Sequence, residues 1–364
     1  MTPRLPRLLA IAGLATLLVA CEPTPPRPTP EQVRAQLERL IPRSVADRKG
    51  WARDIEATFT ALDLDPSKEQ LCAVLAVTEQ ESTYVADPPV PNLGPIALKE
   101  IESRAARYHV PRFAVRAALQ LESLDGQPYA ERIRAARTER ELSELFEEMT
   151  GRIPGGRRLL ARANPVRTGG PMQVSIAFAE AHARAKPYPY ADAASIRREV
   201  FTRRGGMYFG IAHLLDYPAS YDKPMFRFAD FNAGRYASRN AAFQNAVAVA
   251  TGIPLDLDGD LVRHRGDRST PGQTESAVLA MAGDLGMTAD EVRDDLARAH
   301  LPAFERSTLY QRVFEAADRR NGKPLPRATL PRIRLESPKI TRALTTEWFA
   351  TRVNRRWKAC MQRG

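Results

Sequence analysis

The chain has 364 residues, 43% of them hydrophobic, which is enough to bury a core in one large domain or two smaller ones and sets aside a disordered chain. Its formal charge of +11 stays strongly basic after Arg4 and Arg7 are removed with a leader, and such a surface attracts polyanions. Neither a basic and aromatic single-strand platform nor a DNA-reading motif accompanies that charge, so the expected anions are cell-wall carboxylates or lipid headgroups, with no nucleic-acid partner.

Arg4 and Arg7 precede an apolar run from Leu8 to Ala20, too short to span a bilayer comfortably and ordered as a secretory leader is. Residues 1–20 are therefore read as a signal peptide and kept out of the fold. Leu18-Val19-Ala20-Cys21 resembles a bacterial lipobox, which makes Cys21 the expected lipidation site, mature N-terminus and membrane anchor. The alternative is an ordinary cleaved leader with a chance cysteine. Glu22 after the cysteine is similar to the pattern of outer-membrane sorting, so the expected location is the cell envelope, anchored in the outer membrane and facing the periplasm. Residues 21–30 are the lipidated cysteine and a proline-rich tether. Cys72 and Cys360 then remain as an even pair in an oxidising compartment, either joined as a disulfide or buried as two free thiols.

After the tether, Thr29-Pro30-Glu31 caps an amphipathic helix carrying Val33, Leu37, Leu40 and Ile41, and a second helix follows from about Trp51 to Leu62. Asp65-Pro66 opens a third, whose apolar residues Leu71, Val74, Leu75 and Thr78 recur at helical spacing up to Glu79-Gln80-Glu81-Ser82. Pro88 to Pro95 breaks it. Helical patterning resumes from Ile96 to about Leu160, with Pro111 opening one unit and Thr138 to Met149 forming another. The glycines of Thr168-Gly169-Gly170-Pro171-Met172-Gln173 bring the backbone close to something, and Ser175 caps a helix from Ile176 to about Ala185. One helix is expected from Arg197 to Tyr217, another from Ala237 to Thr251 closed by Gly252, then a Thr288–Glu291 capping box and final helices over 303–320 and 339–361. Strand-like alternation is scarce, so the fold class is mainly α.

Glu81 falls near the edge of the buried face at a helix C-terminus, where burial and the helix dipole both disfavour a charged carboxylate. A raised pKa suits a general acid near neutral pH; the bland alternative is a solvated polar helix end. Glu122-Ser123 is a second glutamate-serine pair, followed by a turn. Asp256 to Asp260 lacks the residues an EF-hand requires and reads as a turn, and the five dispersed histidines have no metal-ligand spacing, so no metal or cofactor is expected.

Four pieces stand in order: Glu81-Ser82-Thr83-Tyr84, Gly170-Pro171-Met172-Gln173, Gly206-Met207-Tyr208-Phe209-Gly210 through Leu215, and Phe231-Asn232-Ala233-Gly234. Together they resemble the lytic transglycosylases of the goose-type lysozyme superfamily, over roughly residues 65 to 252, within a chain that also looks like uncharacterised proteobacterial lipoproteins. The resemblance implies a lysozyme-like helical core over 31–252, with a helical insertion at about 92–167 and a C-terminal helical extension over 253–364. It implies peptidoglycan glycan strands as substrate, cleaved between MurNAc and GlcNAc by one catalytic glutamate, Glu81, leaving anhydro-MurNAc ends. Ser82 would orient the site, Met172, Gln173, Tyr208 and Phe231 would line the sugar groove, and Asn232 would hold the turn beside the glutamate. Two departures stand out. Phe231 replaces the family's usual tyrosine, for which Tyr208 or Tyr236 would have to substitute. Gln173 also follows Glu81 by 92 residues, where a few tens are usual. The alternative functions are a catalytically weak peptidoglycan-binding envelope lipoprotein, or a hydrolase using Asp87 or Asp230 to position water.

Overall fold

A computed structural model describes residues 27–153, 155, 163–262, 271–335 and 343–363. The leader and Cys21 lie outside the described residues. The fold is mainly α, with two antiparallel strand pairs of two residues each, Thr168–Gly169 (β1) with Val174–Ser175 (β2) and Arg334–Leu335 (β3) with Leu344–Thr345 (β4).

Three helices open the body: α1 (Pro30–Leu40), α2 (Arg48–Ala61) and α3 (Lys68–Glu81). Thr29 caps α1 in a reciprocal capping box with Gln32. Helix α3 begins two residues later than Asp65-Pro66 suggests, because Ser67 takes the N-cap backbone geometry. Every residue of α3 from Leu71 to Thr78 is buried, so this helix is wrapped on all sides rather than lying on a surface. Four helices follow: α4 (Leu93–Arg107), α5 (Arg112–Leu119), α6 (Tyr129–Ala135) and α7 (Glu139–Gly151). They pack on one another, with Gly94 so close to α6 that a Cβ there would stand 2.3 Å from the Arg134 carbonyl oxygen.

Beyond the β1–β2 hairpin come α8 (Ile176–Ala185), α9 (Ile196–Val200) and α10 (Arg203–Leu215). The single helix expected over Arg197–Tyr217 is therefore two. Thr202 breaks it by adopting extended backbone and accepting a hydrogen bond from the Gly205 amide, which starts a new helix. Arg203 then pins the start of α10 to α2 through Asp54 at 2.5 Å and Asp47 at 2.6 Å. Helices α11 (Pro224–Ala233) and α12 (Ala237–Thr251) follow, the latter closed by Gly252 at φ 80°.

The stretch read from the sequence as one C-terminal extension divides between two cores. Helices α13 (Gln273–Ala280), α14 (Ala289–Ala297) and α15 (Thr308–Asn321) pack with α12 around Phe243, Phe304, Tyr310 and Phe314. The last helix, α16 (Thr346–Met361), returns to the first core, where Phe349, Ala350, Val353 and Cys360 are buried with the residues of α3. Cys72 and Cys360 form a disulfide with their Cα atoms 5.6 Å apart. Glu79 pairs with Arg356 and Gln80 with Arg352, so α16 runs antiparallel to α3 along its length.

Candidate functional site

The C-terminal end of α3 is built to stop abruptly. Ser82 is buried, and both its amide and its hydroxyl donate to the Thr78 carbonyl at 3.1 Å. Thr83 and Tyr84 then take left-handed backbone, φ 51° and 61°, a conformation that costs non-glycine residues about 1–3 kcal/mol each. Tyr84 offsets that cost by folding back on the helix: its hydroxyl donates to the Leu75 carbonyl at 3.1 Å and its ring stands edge-on to Trp51. Ser82 is thus committed to the helix end, and the orienting role expected of it is confined to shaping the turn.

Glu81 occupies the last position of that helix. Its two polar neighbours reach arginines of α16, but no side chain or amide among the described residues donates a hydrogen bond to Glu81, and no cation pairs with it. The residue keeps partial contact with solvent while protein atoms crowd its carboxyl. That desolvation, with a smaller contribution from the negative charge of Glu139, pushes its pKa up to about 8. The carboxyl is therefore protonated at neutral pH, which sets it apart from a solvated helix end.

Glu139 was not foreseen from the sequence. It stands at the first position of α7, inside the insertion, and is buried. The insertion reaches Glu81 because its α7 start docks on the loop that follows α3: the Val90 amide donates to the Arg137 carbonyl at 2.9 Å, Pro89 bridges to Thr138, and Arg140 pairs with Asp87 at 3.1 Å. Only a capping box at Thr138–Glu141 marks that helix start in the sequence, and a cap does not say what it docks against.

Helix α10 carries the second sequence motif to the same end of α3. Thr78 Oγ1 lies 3.8 Å from Met207 Sδ, and one turn further on a Cβ at Gly210 would stand 2.5 Å from Met172 Sδ. A Cβ at Gly206 would likewise stand 2.3 Å from Pro171 Cδ. The glycines thus seat the β1–β2 hairpin flush on α10, the close approach their clustering suggested. Gln173 sits at the tip in left-handed backbone, half-buried, its side-chain amide donating to the Gly170 carbonyl at 3.2 Å.

Two expected groove residues are corrected by this packing. Met172 is fully buried against Gly210, and Tyr208 is buried among His182, Tyr188 and Phe209, so both are core residues with no face toward a ligand. Phe231 is half-buried beside the His213 ring. The Phe231 carbonyl, 3.2 Å from His213 Nε2, can only accept, so the proton sits on Nε2; burial pushes this imidazole down to about 4 and keeps it neutral. Asn232 is exposed, and its Oδ1 accepts from Thr346 Oγ1 at 3.1 Å. It ties α11 to the start of α16 rather than holding a turn beside Glu81. With about 1.5 Å of rise per residue, Thr346 lies roughly 9 Å along α16 from the level of Arg352, whose partner Gln80 adjoins Glu81.

The other acids are placed elsewhere. Asp230 is fully buried and accepts from the Tyr217 and Tyr221 hydroxyls and from the Tyr236 and Ser238 amides, which leaves it no room to position water. Asp87 is held by Arg140, with burial raising its pKa. Glu122 is exposed and lines a cavity of about 1340 Å³ within the α4–α7 unit, away from the residues gathered around Glu81. Asp258 accepts from Gln244 and from the Asp260 amide in a turn.

A half-buried glutamate with a desolvated carboxyl at a helix end, near a glycine-seated hairpin, defines the class: a mainly α protein with a candidate acid site between its central helix and an inserted helical unit. The chain belongs to the family described as protein of unknown function (DUF1615), which it matches over residues 44–363. It is 50% identical over 361 residues to the uncharacterized protein YaiW of Escherichia coli (strain K12), covering 98% of both chains. No solved structure matches it.

Proposed function

We propose that the protein is a peptidoglycan lytic transglycosylase in which Glu81 is the single catalytic acid and base. The observation that carries the reading is the Glu81 carboxyl, without a hydrogen-bond or ion-pair partner among the described residues and pushed up to about 8 by desolvation beside Glu139. A carboxyl still protonated at neutral pH can give its proton to the glycosidic oxygen as the bond to the MurNAc anomeric carbon breaks. The carboxylate left in that desolvated position is a stronger base than ordinary glutamate. It takes the proton from the MurNAc C6 hydroxyl as that oxygen bonds to the anomeric carbon, which closes the anhydro ring and restores the acid. No second carboxylate is required to hold water, unlike in paired-acid glycosidases. Gln173 and Asn232, the motif residues with accessible amides, suit hydroxyl and acetamido groups along the glycan. An acyl anchor on Cys21 would hold the protein at the outer membrane, within reach of the wall.

A second reading, a peptidoglycan-binding lipoprotein with little or no activity, is favoured by one feature. Neither tyrosine offered for the hydroxyl that Phe231 lacks is free to supply it: Tyr236 gives its hydroxyl proton to the Pro218 carbonyl at 3.0 Å, and Tyr208 is in the core. Muropeptide analysis of purified peptidoglycan treated with the protein and with Glu81→Gln separates the two. Anhydro-muropeptides from the first alone support the transglycosylase; sedimentation with the wall by both, without release, supports the binder; reducing ends would replace both with a hydrolase.

A further inference from the structure

The α4–α7 unit carries two features that the Glu81 chemistry does not use, an exposed apolar turn and a cavity. Tyr108, Phe113, Leu121 and Leu124 are 78%, 76%, 63% and 80% exposed, and Val110 and Ile153 are 42% and 49% exposed. Elsewhere among the described residues, large apolar side chains are exposed only at Val85, Ile253 and Leu301. Tyr108, Leu121 and Ile153 also line the cavity of about 1340 Å³, together with the half-buried Ile101, Phe146 and Met149, so apolar surface runs from the outside into the interior. Val110, Phe113 and Leu124 are not part of that lining and stand outside it. The turn from α4 to α5 is fixed by backbone geometry: His109 takes left-handed φ 58° and the Val110 amide donates to the Ala105 carbonyl at 3.0 Å.

The size of this face decides what it suits. Taking ~200 Å² for a whole aromatic side chain and ~100 Å² for an aliphatic one, and scaling each by its exposure, the six side chains offer on the order of 500 Å² of apolar surface. An interface of standard size buries about 800 Å² per partner, about 65% of it apolar between identical chains. The face is therefore as large as one copy of a stable dimer has to bury.

We propose that this face is the interface between two copies of the chain, related by a two-fold axis so that the α4–α5 turn of each copy enters the cavity of the other. A two-fold contact requires a self-complementary surface, and here a projecting apolar turn and an apolar cavity lie on one unit. The cavity exceeds the roughly 300–1,000 Å³ of common small-molecule sites, and a small ligand inside it would leave Phe113 and Leu124 in water. A turn of chain fills the cavity and covers those side chains at once. Arg116, one turn from Phe113, pairs with Glu102 at 3.1 Å, and Asp125, next to Leu124, pairs with Arg132 at 3.0 Å, so these charges are matched within each chain and form a polar rim. The inference stands apart from the Glu81 reading and survives its failure.

The test is sedimentation equilibrium of the full chain carrying Cys21→Ser, so that no acyl anchor contributes. A dimer of twice the 40.5 kDa of one chain is expected, with a Kd of about 1 µM or below. Phe113→Glu combined with Leu124→Glu, both exposed in the single chain, should weaken it about 100-fold while leaving the circular dichroism unchanged. Ala118→Trp, at an exposed position of the cavity lining, should weaken it by blocking entry. Mixing the two variants tests the reciprocal contact itself. A pair made of one of each keeps one intact turn in one open cavity, so the mixture should associate about tenfold more tightly than either variant alone. A monomer at every concentration, assembly beyond the dimer, a dimer that both variants leave unchanged, or no gain on mixing would overturn the proposal. So would flotation of a monomer with phosphatidylcholine vesicles that is lost in the Phe113→Glu, Leu124→Glu variant, which would assign the face to a bilayer.

Discussion

Replacing Glu81 by glutamine should flatten the fall of stability with rising pH between about pH 4.5 and 8. In the folded protein the carboxyl keeps its proton up to about pH 8, whereas in the unfolded chain it ionises near 4.5. Between those values the folded state holds more protons than the unfolded one, so stability falls as pH rises through this window. At pH 7 the unfolded chain has gained the free energy of ionisation over about 2.5 pH units, a loss of about 3 kcal/mol for the native state at 1.36 kcal/mol per unit; at pH 5 the loss is below about 1 kcal/mol. The partial solvent contact of Glu81 reduces the difference between the two pH values to about 2 kcal/mol. Glutamine has the same shape and no proton to lose. Urea unfolding of both proteins at pH 5 and pH 7, with the disulfide intact, should therefore show Glu81→Gln gaining about 2 kcal/mol on the parent between the two conditions. Parallel pH dependence in the two proteins would mean that Glu81 is ionised and solvated when folded, and the reasoning about its acidity would fail with it.

Reducing the Cys72–Cys360 bond, or replacing both cysteines by alanine, should lower stability by about 2–4 kcal/mol, read as a lower melting temperature, because the bond closes a loop across 288 residues. Gly210→Ala places a Cβ 2.5 Å from Met172 Sδ and should cost about 1–3 kcal/mol in unfolding experiments, while also displacing the hairpin that carries Gln173. Tyr84→Phe removes the hydrogen bond to the Leu75 carbonyl and should cost about 1 kcal/mol, with faster amide exchange at Ser82 and Thr83, where the turn loses its tie to α3.

Local signals carried much of the architecture. The Thr29, Ser175 and Thr288 caps and the Gly252 terminator set helix ends through side-chain and backbone chemistry that acts within four residues, and the structure places these ends where that chemistry predicts. Thr202 was missed because the apolar pattern runs on through it; a cap inside a continuous apolar stretch competes with periodicity, and the Gly205 amide decides the outcome. Met172 and Tyr208 were misplaced for a different reason. A methionine or tyrosine near glycines suits a sugar groove and a close-packed core equally, and the choice depends on what the glycines approach, here α10 and its neighbours.

The sequence by itself determined that the chain is mainly α, where most of its helices begin and end, and that Glu81 closes an apolar helix. These properties follow from the 3.6-residue period and from short-range capping, which need no knowledge of distant residues. Tertiary structure alone decided that Cys72 meets Cys360, that α16 returns to run antiparallel to α3, and that the start of α7 brings Glu139 toward Glu81. The acidity of a carboxyl depends on the atoms that replace water around it, and at Glu81 the charge that adds to that desolvation comes from a residue far along the chain, inside the insertion.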